Sequence, residues 1–156
     1  MNIEQPKSIK HSYIQTLLAS PDKVFPLLCP TLEKEWVQDW DPIKIISRSG
    51  VAEKDCIFVT PSQPNDSIWI ITRYEPLSYM IEMYKITPGH TVGKLEISLL
   101  SESENVTKAS VSYEYTALSK DGEVFLSEFT SERYNCFMLD WEKTLNHYLK
   151  TGNKIA

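Results

Sequence analysis

The chain has 156 residues, 42% of them apolar and 11% aromatic, with a formal net charge of −5. That length fits one domain, 1–156, and buries roughly 70% of the unfolded chain's surface, so no disulfide framework or structural metal is required. The acids are dispersed and no two Lys or Arg residues adjoin, so the basic footprint that nucleic acid or an anionic membrane demands is missing.

Three cysteines, Cys29, Cys56 and Cys136, lie far apart with no CxxC spacing. Their odd number argues against a disulfide network and their spacing against a zinc site. The first twelve residues are polar and hold no apolar leader segment, and no apolar run reaches the length of a membrane span. A cytoplasmic protein without a membrane span is the expectation.

Residues 9–17 alternate at Ile9, His11, Tyr13, Gln15 and Leu17, which predicts a first strand. Ser20-Pro21-Asp22 then starts a helix: Ser20 can cap it, Pro21 suits the first helical position, and Asp22 complements the dipole. Pro26 shortens or kinks that helix by removing a donor. Pro30-Thr31 stops it and opens a second short helix, with Thr31 as cap and Glu33 and Glu35 in the first turn.

From Pro42 the period changes to two, broken by turn residues. Strands are predicted over 43–48, 55–60, 67–74, 78–87, 92–100 and 106–118, and the short connections make sequential strands antiparallel partners. Leu95, Ile97 and Leu99 oppose Lys94, Glu96 and Ser98; Val111, Tyr113, Tyr115 and Ala117 oppose Ser110, Ser112, Glu114 and Thr116. Each of these strands has one dry face, as in a sheet covered on one side. The strands 67–74 and 78–87 are apolar at both parities, so their faces stay unassigned.

The last segment, 122–151, repeats apolar residues at spacings of three and four: Phe125, Phe129, Tyr134, Phe137, Met138, Trp141, Leu145, Tyr148 and Leu149. Gly152 is a suitable stop. Some thirty residues give a helix of about 45 Å, enough to cross a small domain. The order β-α-α-β6-α places this helix over a curled seven-stranded antiparallel sheet, an α+β arrangement that leaves room for a cavity between the layers.

The residues also carry a resemblance. The stretch Leu28-Cys29-Pro30-Thr31-Leu32-Glu33-Lys34-Glu35-Trp36 with Trp40, Trp69 before Tyr74-Glu75-Pro76, and Thr87-Pro88-Gly89 are part of it. So are Tyr115-Thr116-Ala117-Leu118-Ser119 before Gly122, and the ending Leu145-Asn146-His147-Tyr148-Leu149-Lys150-Thr151-Gly152. Together with the element order, they resemble a bacterial and archaeal branch of the START-like (SRPBCC) superfamily, over almost the whole chain. This superfamily includes the plant pollen-allergen proteins and the polyketide cyclase/dehydratase and lipid-transport families. The resemblance implies the helix-grip fold and a cavity for a small hydrophobic molecule. One fold hosts many activities, so it does not assign a reaction.

On this reading the ligand-facing residues are Trp36, Trp40, Phe58, Trp69, Tyr113, Tyr115, Phe129, Arg133, Phe137 and Trp141. Trp36 and Trp40 either contact a ligand at the cavity mouth or close that end as core aromatics. Tyr113, Tyr115 and Arg133 are polar handles, or the tyrosines belong to a filled core and Arg133 faces solvent beside Glu132. Glu33 and Glu35 point apart on a helix, and their first-turn position already explains them. His11, His90 and His147 lack ligand-like spacing, and no HExxH, GxSxG, P-loop or GxGxxG occurs. No metal, no cofactor and no catalytic residue is assigned. The alternatives to a binder are a cyclase/dehydratase acting on a hydrophobic substrate, for which Arg73 and Arg133 are further candidates, and a chaperone-activator-like interaction module or homodimer.

Overall fold

The computed structural model describes residues 1–155. Seven strands form one antiparallel sheet in the order β1-β7-β6-β5-β4-β3-β2. They are β1 (Ser8–Leu17), β2 (Lys44–Ile46), β3 (Ile57–Thr60), β4 (Ser67–Glu75), β5 (Met80–Thr87), β6 (Thr91–Ser103) and β7 (Val106–Ala117). From β2 onward each strand pairs with the next in sequence, as short hairpins require, and β1 closes onto β7. Register shifts at Ile71/Arg73 and Ser101/Ser103 break the ladders and increase the local twist.

Several strand ends differ from the sequence reading: β3 begins at Ile57, β6 runs on to Ser103, and β2 and β5 are shortened for visible reasons. Strand β2 stops at Ile46 because Glu53 gathers the following turn: its carboxylate accepts from Ser47 Oγ at 2.9 Å and from the Arg48 backbone N–H. Strand β5 starts at Met80 because Tyr79 sits at φ 56°, outside the extended region.

After β1, helix α1 (Pro21–Val24) passes into a 3₁₀ turn over Phe25–Leu28, the shortening expected from Pro26. Ser20 is the N-cap residue, but its side chain makes no capping bond. The second expected helix is only a 3₁₀ turn, Glu33–Glu35. Thr31 does not cap it: its hydroxyl hydrogen-bonds the Cys29 sulfur at 3.0 Å.

The C-terminal segment is two helices, α2 (Lys120–Glu128) and α3 (Ser131–Thr151), where an unbroken span 122–151 was expected. Ser119 caps α2, its side chain accepting from the Gly122 N–H at 3.1 Å. A Cβ on Gly122 would stand 2.1 Å from the His90 carbonyl oxygen, so α2 rests directly on the β5–β6 turn. The chain leaves helical geometry at Phe129 (φ −83°, ψ 65°) and restarts with Thr130, whose hydroxyl accepts from the Arg133 N–H at 3.2 Å. The freed Phe129 carbonyl accepts from His11 Nε2 on β1 at 2.7 Å, so a tertiary contact satisfies the break.

Helix α3 packs most closely along β1. Tyr134, Met138 and Leu145 are fully buried there. Gln15, itself buried, donates to the Met138 carbonyl at 3.0 Å. Asn146 holds the end of the edge strand, donating to the Thr16 carbonyl (2.9 Å) and accepting from the Leu18 N–H (2.8 Å). With the helix drawn to β1, the far half of the sheet stands away from it, which is the helix-grip arrangement expected from the chain order. No helix among the described residues is long and apolar enough to cross a membrane.

Candidate functional site

Between the sheet and helices α2 and α3 lies a cavity of about 560 Å³. Strand parity builds one wall. On β5 the inward positions are Ile81, Met83, Lys85 and Thr87; on β6 they are Thr91, Gly93, Leu95, Ile97 and Leu99. Trp69, on β4, pairs across to Phe58 on β3 and to Lys85 on β5. Gly93 faces Lys85 on one side and Tyr115 on the other, so Phe58, Trp69, Lys85, Gly93 and Tyr115 form a continuous cross-strand row. Gly93 has a defined job in it. A Cβ there would stand 2.7 Å from the Tyr115 ring, so the absence of a side chain lets that phenol lean across β6 toward β5.

Nine of the ten residues expected to face a ligand line this cavity: Trp36, Trp40, Phe58, Trp69, Tyr113, Tyr115, Phe129, Phe137 and Trp141. Phe58 stacks on Trp69 with centroids 5.3 Å apart, and Trp40 meets Phe58 edge-on at 6.2 Å. Trp36, at 1% exposure, stacks on Trp141 at 5.9 Å. The indole N–H groups of Trp36, Trp40 and Trp69 are already used, donating to the Leu27 carbonyl (2.9 Å), the Pro30 carbonyl (2.7 Å) and Thr60 Oγ1 (2.9 Å). These three rings therefore offer the cavity an apolar surface and no donor. Helices α2 and α3 touch the sheet's tyrosines without filling the space: Phe125 and Phe129 meet Tyr115 at 5.0 and 5.1 Å, and Phe137 meets Tyr113 at 5.9 Å, all edge-on.

Arg133 is the tenth, and it stands outside. It lies in the first turn of α3, its side chain is exposed, and it does not line the cavity. The break at Phe129 carries the chain out to the surface just where the new helix begins. Arg73 is likewise turned away, paired on the outside of the sheet with Glu75 at 2.9 Å.

The polar groups that line the cavity include Tyr113 and Tyr115, two of the expected handles, with Glu33 and Lys85. Among the described residues, neither Tyr113 nor Tyr115 finds a hydrogen-bond partner for its hydroxyl, whereas Tyr134 donates to the Val111 carbonyl at 2.6 Å. Burial pushes the Tyr115 phenol up to about 12. Burial, then the neighbouring Tyr115, Tyr134 and Glu33, push Tyr113 well above the ordinary range. Both remain protonated donors at neutral pH.

Glu33 and Lys85 were not among the expected site residues. The Glu33 carboxyl, at the start of its 3₁₀ turn, lines the cavity while Glu35 is exposed. It makes no hydrogen bond or ion pair among the described residues, and burial pushes it up to about 8. Glu33 keeps some accessible surface although protein surrounds it almost entirely, because that surface faces the cavity. Lys85 lies 5.1 Å from the centroid of the Trp69 ring, and burial holds its ammonium below the usual lysine range. The exposed Gln38 and Asp140 mark where the cavity meets solvent. No group of three His, Cys, Asp or Glu side chains that could hold a metal occurs among the described residues.

Solved structures share this architecture. Norcoclaurine synthase from Thalictrum flavum, in complex with dopamine and hydroxybenzaldehyde, is similar at 12% identity and a TM-score of 0.63, over 88% of this chain and 86% of that one. A Staphylococcus aureus protein of unknown function is similar at 13% identity and 0.69, over 95% and 97%. The protein Ara h 8.0201 is similar at 11% and 0.62, over 93% and 99%. At such identities the likeness shows the fold alone, and that fold is the helix-grip fold. No protein-family model and no curated protein matches the sequence.

Proposed function

We propose that this chain binds a small hydrophobic or amphipathic, ring-bearing molecule in the cavity between the sheet and helices α2 and α3. The observation that carries this reading is a roughly 560 Å³ space walled by aromatic faces, with two tyrosine hydroxyls, those of Tyr113 and Tyr115, that make no hydrogen bond among the described residues. That size and that mixture of apolar wall and few polar groups suit a drug-sized organic ligand. An aromatic wall favours planar or fused-ring bodies over flexible chains, because stacked and edge-on contacts reward ring faces.

A catalytic reading would need titratable groups converging on one point. Glu33, Lys85, Tyr113 and Tyr115 make no hydrogen bond to one another, so binding is the function the geometry supports best. The test is a screen of lipids, sterols and polyketide-like aromatics by native mass spectrometry and thermal shift. Cavity-sized ring compounds are expected to form one-to-one complexes and raise Tm by about 5–10 °C at a hundredfold excess over Kd. Val37→Trp, which places an indole into the space from a half-buried wall position, is expected to abolish both effects while the chain stays folded. No binding to the wild type, or equal binding to Val37→Trp, would overturn the reading.

A further inference from the structure

We propose that the cavity selects an aromatic ligand bearing one anionic group, a carboxylate or sulfonate, which pairs with the Lys85 ammonium beside Trp69. The inference rests on the binding reading above and adds the charge class of its ligand.

Lys85 occupies an inward position of β5, in line with Ile81 and Met83, where a lysine is out of place in an apolar wall. Three lysines in the chain are not exposed: Lys85, Lys94 and Lys108. Lys94 pairs with Glu96 (3.1 Å) and Glu82 (3.6 Å), and Lys108 with Glu102 (3.5 Å). Lys85 has no carboxylate partner among the described residues; its one neighbour of note is the Trp69 π-face. A ring face stabilises a cation only in part, and a desolvated ammonium without a counter-ion remains costly. A ligand anion supplies what the protein leaves out.

The surroundings fit an anion better than a cation. The Tyr115 phenol, drawn over Gly93 toward β5, brings a second free donor to the same side of the cavity. Glu33 does not neutralise Lys85. Among the described residues the two form no ion pair. At neutral pH burial also keeps most of the Glu33 carboxyl protonated. Asp140 is exposed at the mouth, where water screens it.

Three probes of matched shape separate the possibilities: 2-naphthoate (anionic), 2-naphthalenemethanol (neutral) and 2-naphthylmethylamine (cationic), titrated calorimetrically at pH 7. The wild type is expected to bind 2-naphthoate about 10-fold or more tightly than the alcohol, the gain typical of a charge-assisted contact in a low-dielectric site. Lys85→Met, which keeps the stem's length and apolar bulk but removes the charge, is expected to erase that preference by lowering the affinity for 2-naphthoate to that for the alcohol. Equal binding of the anion and the alcohol, tightest binding of the amine, or a preference that survives Lys85→Met would overturn the proposal while leaving a cavity binder. Failure of all three to bind the wild type would remove the binding reading and this inference together. The wild-type series decides the charge preference even if Lys85→Met does not fold.

Discussion

Replacing Trp36 by alanine is expected to cost about 3–5 kcal/mol of folding stability, the range found when a fully buried large aromatic is truncated. Trp36 is the largest of the fully buried side chains. It anchors the segment after the first 3₁₀ turn in two ways at once, by stacking on Trp141 of α3 and by donating to the Leu27 carbonyl. Alanine removes the ring contact to the long helix, orphans a carbonyl, and enlarges a cavity that already exists. Against a typical total stability of about 5–15 kcal/mol, that loss is a large share. Trp36→Phe keeps a ring and loses the hydrogen bond, so it is expected to cost about 1–2 kcal/mol. Urea denaturation of the three chains measures this directly. An alanine variant within about 1 kcal/mol of the wild type would show that Trp36 does not anchor this segment.

The second large effect concerns pH. Burial raises the Glu33 carboxyl from an ordinary 4.5 to about 8 in the folded chain. Below pH 4.5 the group is protonated whether the chain is folded or not. Between pH 4.5 and 8 the folded state holds a proton that the unfolded state has released, so stability must fall as pH rises through that window. Above about 8 a bare carboxylate faces an apolar cavity and the loss is complete. Each pH step of one across that window removes at most about 1.4 kcal/mol, so the loss amounts to a few kcal/mol, reduced by the water that the open cavity admits. Glu33→Gln keeps the shape and removes the titration. It is expected to flatten the decline between pH 5 and pH 8.5 and to be more stable than the wild type at the upper end. Parallel declines in the two chains would place the Glu33 carboxyl in water instead.

Much of this molecule is legible in its sequence. The alternation in β6 and β7 and the short polar connections specify the order of the sheet. The apolar spacing from Phe125 to Leu149 announces the covering helices and puts Phe129, Phe137 and Trp141 on the cavity side. What escapes has identifiable causes. The spacing runs through Phe129 without interruption, so the break is hidden, although Thr130-Ser131-Glu132 is a helix-start signature. His11 supplies the contact that makes the break tolerable, and no local reading shows a contact over that separation. Lys85 is missed because Tyr84 and Ile86 are as apolar as Ile81 and Met83, so parity alone does not say which set faces inward. Glu33 is accounted for as a first-turn acid; whether a short turn points its first side chain inward is settled only by how that turn packs. Of the three expected handles, Arg133 takes the alternative left open for it and is exposed. The pattern of residues therefore reveals the aromatic wall and its two tyrosines, and misses Glu33 and Lys85.

The central claim is that a small ring-bearing molecule occupies the space between sheet and helices. The most direct measurement is a ¹H–¹⁵N correlation spectrum of the labelled chain titrated with neutral 2-naphthalenemethanol. The four indole N–H signals, from Trp36, Trp40, Trp69 and Trp141, report on the cavity, because all four rings line it. Saturable one-to-one shifts of those signals, with the exposed Ile14 and Leu100 amides unmoved, are the predicted result. Indole signals that stay fixed while these exposed amides shift would contradict it.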